Sequence, residues 1–467
     1  NAGGGYSRWK DLAVTRWRED STCDNWGSFV YLRDIGSGTV WSAAEQPVGR
    51  RADHYEALFS EGRAEYRRLD VEIETYTEVV VSPEDDIEVR RVRVTNRSRT
   101  AKTIEFTSYA EVVLAQPAAD LMQTSFGNLF VQTAINASRR AILCTRRPRS
   151  IDEPTPWMFH LLAPNGNPIE SISFETDRMR FLGRGRNVSA PLALQDSGPL
   201  SNTDGSVLDP IIAIRCQLTL QPEQSASLDF VTGAALSHEA CLALVDKYQD
   251  RHLADRVFDI APTHASVLLR QINVSDADAQ LFRRLAGPVV YATAKLRADS
   301  HLLQQNRRGQ SGLWGYAISG DLPIVLLKIS DAANLDLARL VIQCHGYWRL
   351  KGLSVDLVIW NEDHVGYRQR LQDQILALIA TGIESNAIDR PGGIFVRYTE
   401  QIPSEDRILL QAVARVILSD SQGSLAEQLE KTRPPEKRIA PLNISRRHRP
   451  EPAAPADPLR ADLQLAN

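Results

Sequence analysis

The 467 residues are 43% hydrophobic and 24% charged, with a formal net charge of −4, a balance that excludes wholesale disorder. That charge offers no electrostatic handle on nucleic acid or an anionic membrane, and no apolar run approaches the roughly twenty residues needed to span a bilayer. A chain this long implies more than one domain, and its five cysteines (Cys23, Cys144, Cys216, Cys241, Cys344) never stand in C-x-x-C spacing, so buried reduced thiols are expected rather than disulfides or zinc.

The chain opens on Gly3-Gly4-Gly5, followed by the strand-like Tyr6-Ser7-Arg8-Trp9. A phosphate loop needs its glycines between a strand and a helix, so a tight β connection is expected here instead. Leu69, Val71, Ile73 and Thr75 alternate with Asp70, Glu72 and Glu74, which predicts a single half-buried strand. After the turn "SPEDD", Ile87 and Val89 resume the alternation, and the phase flip at Val92 and Val94 predicts a bulge. Further strands are expected at 103–114, 128–135, 139–145, 156–162, 169–174, 211–220 and 226–232. Many short strands separated by Gly, Pro, Asn and Ser clusters argue for a β-sandwich.

Beyond residue 237 the texture becomes helical. "SHEACLALVDKY" and "SDADAQLFRRLAGPVVYATAKLRA" are expected helices; Ser275 and Asp278 stand in capping-box spacing, and Pro288 is expected to kink or divide the second. From about 312, "LPIVLLKI", "VDLVIW" and "GIFVRY" read as strands covered on both faces, separated by helices, with a last helix from Ser404 to about 419. Strand and helix in alternation make a small parallel α/β unit. The proline-rich stretch from 432 carries no periodicity and is expected to be a flexible linker.

Short motifs exclude more than they establish. The first strand-to-helix turn of the α/β unit, "SDAAN", lacks the glycines that let a backbone approach pyrophosphate, and "GRGRN" at 183–187 sits in a loop. The histidines form no H-x-x-x-H or H-E-x-x-H pair, His345 and His364 read as structural, and "GQSG" around Ser311 is no nucleophile elbow. No cofactor or metal is expected. The remaining signal is a concentration of Tyr6, Trp9, Arg16, Trp17, Arg18, Asp24, Trp26, Tyr31 and Trp41 in the opening residues. Sandwich core is one reading; a carbohydrate surface, with aromatic faces on sugar rings and Arg or Asp on hydroxyls, is the other.

Those residues carry a resemblance. "NAGGGYSRWKDLAVTRWREDSTCDNWGSFVYLRDIGSGTVWSAAEQP" resembles the opening of the β-supersandwich of glycoside hydrolase family 94, in the form embedded in cyclic β-1,2-glucan synthases. "GQSGLWGYAISGDLPIVLLKI" and "YWRLKGLSVDLVIWNE" resemble the same synthases, and the similarity runs to about 430. One departure lies in "DLMQTSFGNLFVQT", where the family tends to place His-Pro at Gln123-Thr124. Residue pattern and resemblance together predict a mainly β fold with α/β: an antiparallel, galactose-mutarotase-like β-supersandwich over 1–237, a helical linker over 238–311, a small α/β domain over 312–420 and a proline-rich linker over 421–467. It also implies a soluble, cytoplasmic-side segment of a large inner-membrane protein. The catalytic helical barrel of that protein is expected outside this chain, so no catalytic residue is assigned here. The expected partners are a β-glucan and the remaining domains of the same polypeptide, and the candidate sugar-binding residues are Arg16, Arg18, Asp24 and Trp26. In a strand the two arginines share a face and Trp17 takes the other; the arginine face is favoured because burying two unpartnered guanidiniums is costly.

Overall fold

A computed structural model of the chain describes residues 3–430, apart from 21, 149, 151–152, 154, 196–197, 364–367 and 383–385. The proline-rich stretch from 432 and His364 lie outside the described residues. Strands β1 (Arg8–Trp9), β2 (Leu12–Thr15), β3 (Phe29–Asp34) and β4 (Val40–Ser42) precede a meander of β5 (His54–Ser60), β6 (Arg63–Asp70), β7 (Ile73–Val81) and β8 (Ile87–Asn96). The long β9 (Lys102–Ala115) leads into two short helices, α1 (Pro117–Met122) and α2 (Thr124–Asn128). Then come β10 (Val131–Asn136), β11 (Ala141–Arg146), β12 (Trp157–Ala163), β13 (Ser171–Asp177), helix α3 (Arg178–Leu182), β14 (Pro210–Leu220) and β15 (Ser225–Ala235).

These strands form two antiparallel sheets. One runs β10-β11-β12-β15-β8-β7-β6-β5; the other runs β1-β2-β9-β14-β13, with β3 also on β9 and β4 on β3. Between them lies a core that includes Leu32, Trp41, Val92, Val94, Phe106, Ile142, Met158, Ile214 and Phe230. The phase flip in β8 has a different origin from the expected bulge, because its pairing with β7 and β15 is continuous. Val92 and Val94 face the inter-sheet core, whereas Ile87 and Val89 face a second core under helices α4 (His238–Lys247) and α5 (Arg251–Gln271). A strand covered on both faces has no single apolar phase. The expected strand through Leu69 and Thr75 is likewise a hairpin: Asp70 pairs with Ile73, and Val71 turns the corner at φ 59° with 70% of its surface exposed.

Helix α6 (Asp276–Tyr291) begins with the capping box expected at Ser275 and Asp278 and continues through Pro288 rather than dividing there. Helix α7 (Ser300–Gln305) precedes a parallel sheet of β16 (Ile324–Ile329), β17 (Asp356–Asn361), β18 (Ile394–Tyr398) and β19 (Val416–Ser419), in the order β18-β17-β16-β19. Helices α8 (Leu335–Leu350), α9 (Arg368–Ala380) and α10 (Ser404–Val413) make the crossovers. The expected final helix through 419 therefore ends at Val413, and "VILS" becomes a fourth strand, as β-branched residues beside an open sheet edge favour. Helix α11 (Leu425–Glu430) buries Leu425 and Leu429 in the core of this unit, beyond the boundary expected at 420. Four cysteines are buried as expected, but Cys23 is exposed; all five are free thiols.

The tip of the β5–β6 hairpin ties the sandwich to the helices. Glu61 accepts from Arg283 at 2.8 Å, from the Tyr347 hydroxyl at 3.0 Å and from Lys351 at 3.2 Å. Gly62, at φ +75°, packs so close that an added Cβ would stand 2.9 Å from the Ala261 carbonyl oxygen. Only a residue without a side chain fits that turn.

Candidate functional site

The candidate site begins in β9. This strand pairs with β3 along its first half and with β2 along its last residues, where the register shifts between Ala13 and Thr15. Leu114, buried and at φ 51°, sits in that irregularity. The shift sets the Arg16 amide against the Glu111 carbonyl at 2.9 Å and brings both side chains to the same end of the sheet. Thr15 ends β2, so Arg16 and Arg18 belong to the connector that follows it.

Arg16 is only 5% exposed, but it is fully partnered. It donates to Glu111 at 2.6 Å, to both oxygens of Asp120 at 3.0 and 2.7 Å, and to Asn128 at 2.9 Å. Arg16 is thus buried without being unpartnered, contrary to expectation: four of its guanidinium's five N–H groups are already used, leaving little for a ligand. Glu111 also accepts from Arg178 at 2.7 Å and from the Tyr109 hydroxyl at 3.0 Å. Burial pushes the Glu111 carboxyl up, but Arg178 and Arg16 outweigh it and hold it below the usual carboxylate range. Burial, and then the Glu111 charge, push the Tyr109 phenol well above its ordinary value. At neutral pH this is an ionised carboxylate between two fixed cations, with no proton to give to a leaving group.

Above this network opens a cleft of about 150 Å³, lined by Arg16, Trp26, Glu111, Arg178, Arg186 and Asn187 among others. Its far wall comes from the loop after α3, anchored where the Tyr31 hydroxyl donates to the Val188 carbonyl at 2.7 Å and where Phe181 packs 5.0 Å from Tyr109. Arg186 and Asn187 are exposed at the rim, and Trp26 is half-buried. Of the four candidate residues, Arg16 and Trp26 line the cleft. Arg18 lies at its edge, its guanidinium 5.4 Å from the Trp26 ring and 2.5 Å from the Thr124 hydroxyl. Asp24 turns away, at φ 50°, to accept from the Tyr291 hydroxyl at 3.0 Å. Trp17 stacks on Tyr6 at 5.8 Å, while both arginines reach Asp120.

Sequence reasoning missed Glu111, Arg178, Arg186 and Asn187. Glu111 did leave a signal: a lone carboxylate inside the apolar run "YAEVVLA" demands a buried partner. The loop "GRGRN", set aside as a phosphate motif, supplies the rim.

The α/β unit offers a second place to look, since ligands of open parallel sheets bind where strand order reverses, outside the carboxyl ends. Here that point lies between β16 and β19, and the Asp420 carboxylate accepts the Ser330 and Asp331 amides at 2.8 and 3.0 Å. The protein's own carboxylate takes the amides that would hold an anion. Among the described residues, no group of three His, Cys, Asp or Glu is placed to hold a metal, and no helix is long and apolar enough to cross a membrane.

The family model described as "Glycosyl hydrolase 94, supersandwich domain" matches residues 1–251. The chain belongs to this family. The supersandwich chain is 32% identical over 428 residues to the cyclic beta-(1,2)-glucan synthase NdvB of Rhizobium meliloti, covering 91% of this chain and 15% of that protein. It is 27% identical over 267 residues to the N,N'-diacetylchitobiose phosphorylase of Vibrio proteolyticus, covering 56% of this chain and 32% of that one. Among solved structures, a bacterial glucoamylase complexed with acarbose aligns with a TM-score of 0.36 at 6% identity, over 62% of this chain and 42% of that one; so low a score carries no argument. The supersandwich chain thus spans a third or less of the curated relatives named here.

Proposed function

We propose that this chain is a glucan-positioning segment of a cyclic β-1,2-glucan synthase. The extent of the match carries the reading: 428 aligned residues must continue well past residue 251, into the helices and the α/β unit. The phosphorylase match covers only about half of the chain. In this reading a β-linked glucan lies in the supersandwich cleft, a sugar ring against Trp26 and its hydroxyls on Arg186 and Asn187, while the Arg16–Glu111–Arg178 network holds the walls. Parent, glucan linkage and position on the cytoplasmic side of an inner-membrane protein all belong to the proposal. Calorimetric titration of the purified chain with β-1,2-linked gluco-oligosaccharides tests it; saturable binding that Trp26→Ala weakens supports it.

A second reading, in which the segment is itself a glycoside phosphorylase, draws on the match to the chitobiose enzyme. Inverting phosphorolysis needs a carboxylic acid that can protonate the leaving oxygen, and Glu111, the carboxylate lining the cleft, is pinned in its ionised form. Incubation with β-1,2-glucan and inorganic phosphate is expected to release no glucose 1-phosphate. Release that disappears on Glu111→Gln would favour the enzyme.

A further inference from the structure

The segment Gln310–Tyr316 is a run of tight 3-10 turns carrying Trp314, 64% exposed. Exposure of so large an apolar ring costs solvation free energy that burial would recover, and the turn beneath it is held rigidly. Arg308 pairs with Glu405 and Asp406, and the Tyr316 hydroxyl donates to Asp406 at 2.8 Å. The Tyr316 carbonyl accepts from Arg397 at 2.7 Å, and Gln310 bonds Ser319 and Asp321. Gly312 packs closely on α10, since an added Cβ there would stand 2.6 Å from a terminal methyl of Leu409. A rigid turn that presents an indole to solvent has the build of a stacking platform.

Beside it runs a groove of about 460 Å³ whose walls include Arg308, Gln310, Asp321, Glu19 and Arg415. Its lining is shared between those polar groups and the apolar Leu313, Leu322, Pro323, Ile324, Leu409 and Val413, and the exposed residues that flank Trp314 in the chain include Arg307, Arg308, Gln310 and Ser311. An exposed indole beside a groove of mixed polar and apolar walls suits a ligand with both an apolar face and many hydroxyls better than a protein partner, which would demand a continuous apolar patch. Glu19 belongs to the same connector as Arg16 and Trp26, which line the supersandwich cleft. From Arg16 to Glu19 the chain covers at most about 10 Å, so groove and cleft lie close to each other.

We propose that Trp314 and its groove form a second glucan-contact surface, continuing the track of the supersandwich cleft across to the α/β unit. The proposal rests on the glucan-binding reading of that cleft. A pyranose ring stacks on the indole, Gln310, Asp321 and Arg308 meet its hydroxyls, and only a chain of several sugars reaches both places. The test is calorimetric titration of the purified chain with linear β-1,2-gluco-oligosaccharides, from the disaccharide to chains of eight or more sugars. Trp314→Ala is expected to leave the shortest ligands unaffected and to weaken the long ones by about threefold to tenfold, in line with the loss of one aromatic stack; Trp314→Tyr is expected to retain most of the affinity. Trp314→Ala binding every length like wild type would overturn the proposal while leaving the cleft reading intact. A loss equal at all lengths, accompanied by a lower melting temperature, would overturn it in favour of a structural role. Long-chain binding that depends on Trp314 but not on Trp26 would uphold the surface and refute the cleft; no binding of any length at millimolar ligand would refute both.

Discussion

Arg16 shows how one side chain can line a cleft and still serve chiefly the fold. Its guanidinium compensates the buried carboxylate of Glu111 and the half-buried one of Asp120, and removing one partner of such a set leaves charge without compensation in a desolvated site. Arg16→Ala is expected to cost about 3–5 kcal/mol in chemical denaturation, whereas Trp26→Ala and Arg186→Ala stay within about 1 kcal/mol of wild type because their side chains reach solvent. His160 gives a pH signature. It is buried between the Ser108 and Thr232 hydroxyls, both 2.9 Å away, and burial pushes its pKa down to about 3. The unfolded chain takes up that proton near pH 6.5 while the folded one refuses it, so stability falls as the pH drops from about 6.5 towards 3, by up to about 1.4 kcal/mol per unit. Glu111, depressed by its two arginines, adds a loss that begins only below its unfolded value of about 4.5. Denaturation midpoints across this range should show a shallow limb removed by His160→Gln and a steeper acid limb reduced by Glu111→Gln. From sequence, Arg16 and Trp26 could be singled out by residue type; the partners that decide what Arg16 does come from β9 and α1, about a hundred residues away, and no local pattern announces them.

Among the elements, the two hairpins around Val71 and Glu61 are the most exposed to test. Val71 is β-branched, solvent-facing and in the left-handed region, a conformation that costs an ordinary residue roughly 1–2 kcal/mol. Val71→Gly is expected to raise stability by about 0.5–1 kcal/mol, read as an upward shift in melting temperature. Glu61→Ala removes the acceptor shared by Arg283, Tyr347 and Lys351 and should weaken the seam by about 1–3 kcal/mol. Hydrogen exchange should then quicken in α6 and α8 and stay unchanged in the inter-sheet core. The same elements show what periodicity can and cannot carry. Most strands and the capping box at Ser275 were legible because each rests on a local rule. The Val71 turn was not, since alternation runs unbroken through Asp70 and Ile73 and nothing at Val71 advertises a positive φ. The phase flip in β8 was visible, but its cause, a second core beneath α4 and α5, needed the tertiary structure.

At the scale of the molecule, sandwich, helices and parallel sheet meet along seams of charge: Arg91 with Asp255, Arg415 with Glu19, and the Glu61 cluster. The family and its fold class could be recognised from the long opening string, whereas the placement of one cleft and one groove along a common connector could not. In the proposed function this molecule holds a β-linked glucan while other parts of a larger synthase perform the chemistry. Titration of the purified chain with β-1,2-linked gluco-oligosaccharide, in the presence and absence of inorganic phosphate, tests this most directly. Saturable binding that Trp26→Ala weakens by about threefold to tenfold without unfolding the protein, and no glucose 1-phosphate in either condition, are the expected results; an absence of binding at millimolar oligosaccharide, or phosphate-dependent cleavage by the chain alone, would refute the glucan-positioning reading.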